Sequence, residues 1–251
     1  MLELGNFIIP TLVAVAILIA ITTAVLFATK VPERWGPAVA ILRGTLQLAL
    51  LSIILQGVIT HPWWVAVALI VMFSVAVSAS TRRLGWSPAH LKIVAISMGA
   101  GILTTLIVVF ASGAIEFAPR YVLAFGGIVI GNAMSISTLA GRRIIIKTRS
   151  RWDEIEAWLS LGATNRQATA DIGRKAIHEA ILPSTDQIRT TGLVTLPGAF
   201  VGAIFGGLDP WEAGRFQILV LAGIMTSGVI CASLLARQLA PRLELVPAEK
   251  D

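Results

Sequence analysis

The sequence is poor in charged residues. Asp, Glu, Lys and Arg make up only 14% of its 251 residues, whereas hydrophobic residues make up 56% and the mean hydropathy is +0.82. Soluble globular proteins cover their surfaces with more charge than this, so one large soluble domain or two small ones are excluded. The composition indicates a membrane protein whose apolar segments face lipid or each other.

Cysteine is nearly absent, since Cys231 is the only one in the sequence. It has no partner for an intrachain disulfide, and there is no group of thiolates for a zinc or iron–sulfur centre. The three histidines, His61, His90 and His178, lie far apart and form no pattern with metal-ligand spacing. The sequence therefore assigns no metal site, and the position of any such site stays unknown.

Seven segments are long and apolar enough to cross a bilayer. A spanning helix needs about 20 apolar residues to cross a hydrocarbon layer of about 30 Å. Six stretches of this kind contain no Asp, Glu, Lys or Arg: 7–29, 62–81, 93–115, 121–141, 190–208 and 216–236. A seventh, 37–60, contains only Arg43, whose long side chain can reach the interface from near a helix end. We predict an all-α polytopic membrane protein with seven transmembrane helices, in a single domain over 1–251.

Basic residues are distributed unevenly over the connections between these spans. Alternate connections hold 17 of the 20 Lys and Arg residues, while the other set holds only Arg120 and Arg215, and Arg43 lies within a span. Cytoplasmic loops carry the excess of Lys and Arg, so we predict that the amino terminus is outside and the carboxyl terminus is cytoplasmic. The net charge of +6 then reflects membrane topology, and we expect no nucleic acid as a partner.

The longest connection, 142–189, is predicted to be cytoplasmic and helical. Apolar residues at helical spacing predict one helix over 150–161. A second helix is predicted from residue 164 to about residue 181, where Pro183 would end it.

A glycine break separates these two predicted helices. Gly162 and Ala163 lie at the break, and Thr164 and Gln167 have the spacing of a capping box. A helix, a glycine break and a second helix suggest an element that docks into a groove on a soluble partner. The alternative is a pair of short amphipathic helices that lie on the lipid headgroups.

Polar residues inside the predicted spans are candidates for a translocation path, because polar groups in lipid are costly. Arg43 and Gln47 are four residues apart and share a helix face. In one interpretation both side chains line a translocation path. In the other, Arg43 reaches the cytoplasmic lipid phosphates and Gln47 forms a hydrogen bond between helices. Asn132 contacts substrate or forms an interhelical bond, and the small residues around it favour packing. Gln217 is a further candidate.

Pro197 and Gly198 interrupt the sixth predicted span near its middle. A proline there frees backbone carbonyls that neighbours or a water-lined cavity must satisfy. The pair is either a hinge in the translocation path or a static kink.

The segment around Gly162 resembles the EAA-type coupling segment of ABC-transporter permeases. The likeness is carried by Glu156 and Ala157, followed by the run 161–164. The Leu–Pro pair at 182–183 comes later after the glycine than in the usual segment, so this chain has a longer variant.

The chain as a whole resembles the FetB-like permeases, which are regarded as bacterial iron exporters and are related to plant aluminium-tolerance permeases. The most similar strings are 154–156 with 159–164, 192–198, 206–213 with 215–217, 131–134, and Arg43 with Gln47. The length and the predicted seven-span layout also agree with this family.

This resemblance implies a half-transporter in the cytoplasmic, or inner, membrane. Two copies of the chain would pair with two copies of a separate ABC-type ATPase, which binds ATP and Mg²⁺. The contact with the ATPase would be made by five residues of the coupling segment: Glu156, Leu161, Gly162, Ala163 and Thr164. The sequence agrees, since it contains no G-x-x-x-x-G-K-[ST] phosphate-binding loop. We expect a transport subunit that is not itself an enzyme and binds no cofactor.

The resemblance also implies a cargo, iron or another metal cation. A nucleotide sugar or a small organic solute is the alternative cargo. Two other classes of function stay open: an ion-coupled secondary transporter, and a membrane scaffold that recruits a soluble protein. Secondary transporters usually need carboxylates inside the bilayer, and the uncharged spans contain none.

Overall fold

A computed structural model describes residues 2–58 and 61–243, with the side chains of 9–52 and 61–243. Every regular element in these ranges is a helix. In chain order they are α1 (Leu2–Ala28), α2 (Gly36–Val58), α3 (Pro62–Leu84), α4 (Pro88–Ala111), α5 (Pro119–Ser150), α6 (Trp152–Ser160), α7 (Asn165–Ala168), α8 (Ala170–Thr190), α9 (Gly198–Phe205) and α10 (Pro210–Leu239). The all-α class predicted from the sequence is confirmed.

The chain divides into two compact units, Met1–Thr60 and His61–Asp251. Within the first unit, α1 and α2 pack against each other. The rings of Phe27 and Trp35 meet edge to face at 5.6 Å between centroids beside the connecting turn. The guanidinium of Arg34 lies 5.0 Å from the centre of the Phe27 ring. These contacts hold the two helix ends together around the turn.

Five helices of the described residues are long and apolar enough to cross a membrane: Ile9–Ala28, Pro62–Leu84, Pro88–Ala111, Pro119–Ser150 and Pro210–Leu239. Each covers the greater part of a predicted span, which makes the chain a multi-pass membrane protein. A sixth apolar helical stretch, Gly36–Ser52, is shorter. It covers the start of the predicted span 37–60, whose last two residues lie outside the described residues. The seven-span count and the orientation stay predictions.

The predicted sixth span, 190–208, is wrong as a single helix. Helix α8 ends at Thr190, the chain then turns with a short bridge between Thr191 and Thr195, and α9 begins only at Gly198. Gly192 has a φ of +84°, a left-handed conformation that ends a helix, and Pro197 has no N–H to continue one. With eight residues, α9 is about 12 Å long and does not cross a bilayer alone.

The predicted second loop helix was ended too early, at Pro183. In the structure α8 continues through this proline to Thr190. The hydroxyl of Thr185 donates to the carbonyl of Ile181 at 3.0 Å within the same turn. Tertiary packing and side-chain hydrogen bonds of this kind let a membrane-associated helix tolerate proline. The first loop helix is likewise shorter than predicted, because Ser150 belongs to α5.

The core of the second unit lies between α3, α4, α5 and α10, and α8 packs onto α5 and α10. Phe125, Met98 and Leu235 are fully buried there. Hydroxyl groups also meet in this interior: the Ser80 and Ser137 oxygens lie 2.9 Å apart. Such contacts matter in a membrane, where lipid removes the usual advantage of burying apolar side chains against each other.

Helices α4 and α10 approach each other closely at Gly101. A Cβ atom on Gly101 would lie 2.5 Å from the carbonyl oxygen of Ser227 on α10. Real Cβ atoms do not come this close to a backbone oxygen. The approach of the two backbones therefore requires glycine at this position.

We expect G101A to lower the free energy of unfolding by about 1–3 kcal/mol, because the added methyl group forces the two helices apart. The matched control is G131A on α5, since a Cβ there has no neighbour within 4 Å. That control should leave stability unchanged or raise it slightly. Thermal unfolding of the purified protein in detergent compares the two, and equal effects would contradict the close approach.

Candidate functional site

The coupling segment predicted around Gly162 is a defined structural element. Helix α6 ends at Ser160, Leu161 is its C-cap, and Gly162 takes a φ of +87°, which reverses the chain. Thr164 then caps α7: its hydroxyl accepts from the Gln167 N–H at 3.4 Å, and the Gln167 side-chain oxygen accepts from the Thr164 N–H at 2.8 Å. The glycine break and the capping box predicted from the sequence are confirmed.

The tip of this segment is uncovered by the rest of the chain. Leu161 is 83% exposed, and Glu156, Gly162 and Thr164 are also exposed, whereas Ala163 is half-buried. An apolar side chain this exposed at a turn has no packing role within the described chain. Four of the five predicted coupling residues are therefore accessible, and the fifth, Ala163, is partly so.

A small separate core lies beneath the tip. Ile155 of α6 and Ile172 of α8 are almost completely buried, and they pack together with Ala168. Leu159 covers the same cluster. Because α6 and α8 share this core, the position of the tip is fixed relative to the start of α8.

Ion pairs connect the coupling segment to α5 and α8. Arg151, at the junction of α5 and α6, donates to Glu154 at 2.7 and 2.8 Å and to Asp171 at 2.7 Å. Lys175 lies 2.9 Å from the same Asp171 carboxylate. The hydrogen bonds from Arg151, then those from Lys175, lower the pKa of Asp171 from 3.8 to about 2.

A second set of ion pairs lies about two turns beyond Asp171 along α8. Glu179 contacts Arg143 at 3.2 Å and also bonds Lys147, both on α5. The Lys147 hydrogen bond lowers the pKa of Glu179 below its ordinary value. Residues 142–150, predicted as the first part of the loop, are thus a continuation of α5 that pairs with α8.

Asn132 is half-buried on α5 and contacts α8. Its side-chain oxygen accepts a hydrogen bond from the Ser184 hydroxyl at 3.4 Å. Of the two readings open for Asn132, this contact favours the interhelical bond.

Gln217 and the Pro197–Gly198 pair lie elsewhere in the second unit. Gln217 is buried on α10, and its side-chain oxygen has no hydrogen-bond partner among the described residues. Gly223 of α10 packs on Phe125 of α5. Gln217 precedes Gly223 and Asn132 follows Phe125, so the two polar residues lie about 20 Å apart along the bundle. Pro197 precedes the first residue of α9, Gly198, so the pair starts a helix and does not kink one.

Arg43 and Gln47 belong to the first unit. They lie one turn apart on α2, and both are exposed. Their shared face, predicted from the four-residue spacing, is present. Their part in a translocation path stays a prediction.

No group of three or more His, Cys, Asp or Glu residues that could hold a metal ion occurs within residues 2–58 and 61–243. Cys231 is fully buried between helices, and its sulfur lies 3.9 Å from the Ala133 carbonyl oxygen. The described chain therefore offers no ready-made multidentate metal centre.

The second half of α8 is not predicted from the sequence. Asp186 and Arg189 fall in the predicted connection 142–189, because the next predicted span begins only after these charges. A signal was nevertheless present: Ala176, Ala180 and Ser184 are small residues four apart, and all three are buried. Small residues at this spacing are typical of helices that pack closely inside a membrane.

Comparison with known proteins identifies relatives over most of the chain. The model of UPF0014, an uncharacterised protein family, matches residues 9–243. The UPF0014 membrane protein STAR2 of rice (Oryza sativa subsp. japonica) is 31% identical over 224 residues, which cover 88% of this chain and 79% of the relative. No solved structure matches the chain.

Two further relatives carry descriptive names. The probable iron export permease protein FetB of Escherichia coli is 40% identical over 153 residues, 61% of this chain and 58% of the relative. The protein ALUMINUM SENSITIVE 3 of Arabidopsis thaliana is 32% identical over 181 residues, 71% of this chain and 66% of the relative.

We expect D171N to loosen the coupling segment, because it removes the carboxylate that holds Arg151 and Lys175 together. Hydrogen exchange of residues 165–175 should become faster at pH 7. The control is D153N: Asp153 also lies in the first turn of a helix, α6, so both variants lose the same helix-end interaction.

The D171N effect should depend on pH in a stated direction. The folded-state pKa is lowered, so the stabilisation is complete above the ordinary value of 3.8 and is lost as the pH falls towards about 2. Wild type and D171N should therefore converge in this acidic range. Equal exchange in D171N and D153N at pH 7 would show that the ion pair does not hold the segment.

Proposed function

This chain belongs to the UPF0014 family of membrane proteins, and we propose that it is the membrane-spanning permease subunit of an ABC exporter. It would move its cargo out of the cytoplasm with energy from ATP hydrolysed on a separate ATPase subunit. It would reside in the cytoplasmic membrane. The chain itself would not be an enzyme and would bind no cofactor, in keeping with the missing phosphate-binding loop.

The observation that carries this proposal is the coupling segment. It presents the exposed Leu161 at the turn between α6 and α7, while its buried side is fixed to α8 through Ile155 and Ile172. A surface that is uncovered yet rigidly held suits docking into a groove on a soluble partner. In this proposal Glu156, Leu161 and Gly162 contact the ATPase, together with Ala163 and Thr164.

Helix α8 connects this segment to the bundle. Its 21 residues extend about 30 Å, and about 20 Å of this length separates the ion pairs at Asp171 from the hydrogen bond between Ser184 and Asn132. A displacement of the segment on ATP binding to the partner would move α8 against α5 and α10. This is how nucleotide-driven closure of the ATPases would reach the translocation path.

We further propose that the transporter contains two copies of this chain and two ATPases. One coupling segment docks one ATPase, and ABC-type ATPases hydrolyse ATP as a pair. Arg43 and Gln47 on α2, Asn132, Gln217 and the break at Pro197–Gly198 remain our candidates for residues along the path.

For the cargo we propose iron or another metal cation. The support is the name of the Escherichia coli relative, a probable iron export permease. The alternative cargo is a nucleotide sugar or a small organic solute. A panel of metal cations and sugars, tested for stimulation of ATP hydrolysis by the reconstituted complex, separates the two. We expect stimulation by a metal cation, and stimulation by sugars alone would contradict this cargo.

The coupling role leads to a direct test. We expect L161E to abolish cargo-stimulated ATP hydrolysis, because a carboxylate cannot enter an apolar groove without losing its water. The control is F117E: Phe117 is 78% exposed, but it lies in the connection before α5, at the opposite end of that helix from the coupling segment. The measurement is ATP hydrolysis by this chain co-purified with its ATPase and reconstituted in liposomes.

Two outcomes would contradict the proposed function. One is that no ATPase co-purifies with the wild-type chain, while the purified chain alone transports cargo on an ion gradient. That result would favour a secondary transporter. The other is that L161E and F117E behave alike, which would remove Leu161 from the coupling contact.

A further inference from the structure

The second half of α8 lies at the depth of the middle of the bundle. The hydrogen bond from Ser184 reaches Asn132, the twelfth of the 21 residues in the uncharged stretch 121–141 of α5. Helix α3 lies beside this stretch in the same direction, since Gly126 packs on Leu69 and Gly141 packs on Leu84. Ser184 is therefore close to the centre of a hydrocarbon layer of about 30 Å.

Two charged residues follow Ser184 on the same helix. On the amino-terminal side of Ser184, Glu179 of α8 pairs with Arg143 and Lys147 of α5. At a rise of 1.5 Å per residue, Asp186 is about 3 Å beyond Ser184 and Arg189 about 8 Å beyond it. Both lie well inside the apolar layer, although neither belongs to an uncharged segment.

These side chains do not point into the packed interior of the second unit. Ala180 and Ser184 are buried on the face of α8 that packs on α5 and α10, and at 100° per residue Asp186 and Arg189 lie on the opposite face. Their side chains are 60% and 73% exposed, and they form an ion pair with a long separation of 3.6 Å. Facing lipid, such a pair would lack the hydrogen bonds that charged groups require.

We infer that this face of α8 lines a water-filled part of the translocation path, and that Asp186 is a carboxylate that binds a cation in transit. A carboxylate is a preferred ligand for hard metal cations such as Mn²⁺ and for Fe²⁺. Arg189 neutralises Asp186 when no cation is present, and the loose ion pair allows a cation to compete for the carboxylate. The cation-binding role rests on the proposed function, whereas the water-filled path does not.

The chain that follows Arg189 fits a path of this kind. The Thr190 carbonyl oxygen accepts from the N–H groups of Val194 at 2.9 Å and Thr195 at 3.2 Å, as the backbone leaves the helix. Non-helical backbone at membrane depth is tolerated where it is covered by protein or lines a water-filled cavity. Interrupted helices beside a polar site are a recurring arrangement in transporters.

Accessibility to a water-soluble reagent tests the path. In a C231A background, R189C should react with a charged, membrane-impermeant thiol reagent applied to vesicles of mixed orientation. The matched control is I70C on α3: Ile70 is 65% exposed and lies at a similar depth, beside Leu69. Both variants should react with a lipid-soluble maleimide. Labelling of R189C by the lipid-soluble reagent alone, as for I70C, would overturn the water-filled path.

Binding of Mn²⁺ to the purified full-length chain tests the carboxylate, with electron paramagnetic resonance as the measurement. D186N should weaken binding at least tenfold, R189Q should retain or strengthen it, and D186E should restore part of it. The control is E212Q in the exposed first turn of α10, which should bind like wild type. Equal binding by D186N and wild type, or no binding by wild type, would overturn the role of Asp186.

The same variants separate this inference from the proposed function. If the wild-type chain binds Mn²⁺ through Asp186 but neither retains nor stimulates an ATPase, the permease proposal fails and the cation site stands. If metal cations stimulate ATP hydrolysis in both wild type and D186N, the permease proposal stands and the cation site is overturned.

Discussion

Three contacts hold α8 antiparallel to α5 along most of its length. Asp171 bonds Arg151 near one end, Glu179 bonds Arg143 and Lys147 further along, and Ser184 reaches Asn132 in the bundle. Together they set the register of α8. Since α8 also supports the coupling segment, this pairing determines both where that segment lies and which residues of α8 lie beside the apolar stretch of α5.

The character of these contacts changes along the helix pair. The first two are charged: Asp171 bonds Arg151 at the end of α5, and Glu179 bonds Arg143 and Lys147 of the same basic stretch. The third is a neutral hydrogen bond at a depth where no water is available unless a cavity provides it. This order follows the cost of polar groups in hydrocarbon, which rises steeply from the interface to the centre of the bilayer.

In the rest of the second unit, the helices are held together by close packing of their backbones. Lipid is as apolar as leucine, so burying apolar side chains against each other gives little advantage, and helices associate through tight packing and hydrogen bonds. The contact of Gly101 with the Ser227 carbonyl and the hydroxyl contact of Ser80 with Ser137 are of this type. Such a bundle gives α8 a firm surface to pack against.

The sequence by itself determined the class of protein, most of the spans and the local form of the coupling segment. Hydrocarbon thickness and charge cost act on composition directly, and the Gly162 turn and the Thr164 cap depend only on near neighbours in the chain. Only the tertiary structure decided that α8 continues through Pro183. It also brought Asp186 and Arg189 to the depth of the spans. Those outcomes depend on Ser184 meeting Asn132, a residue 52 positions away, and no local pattern records a contact of that range.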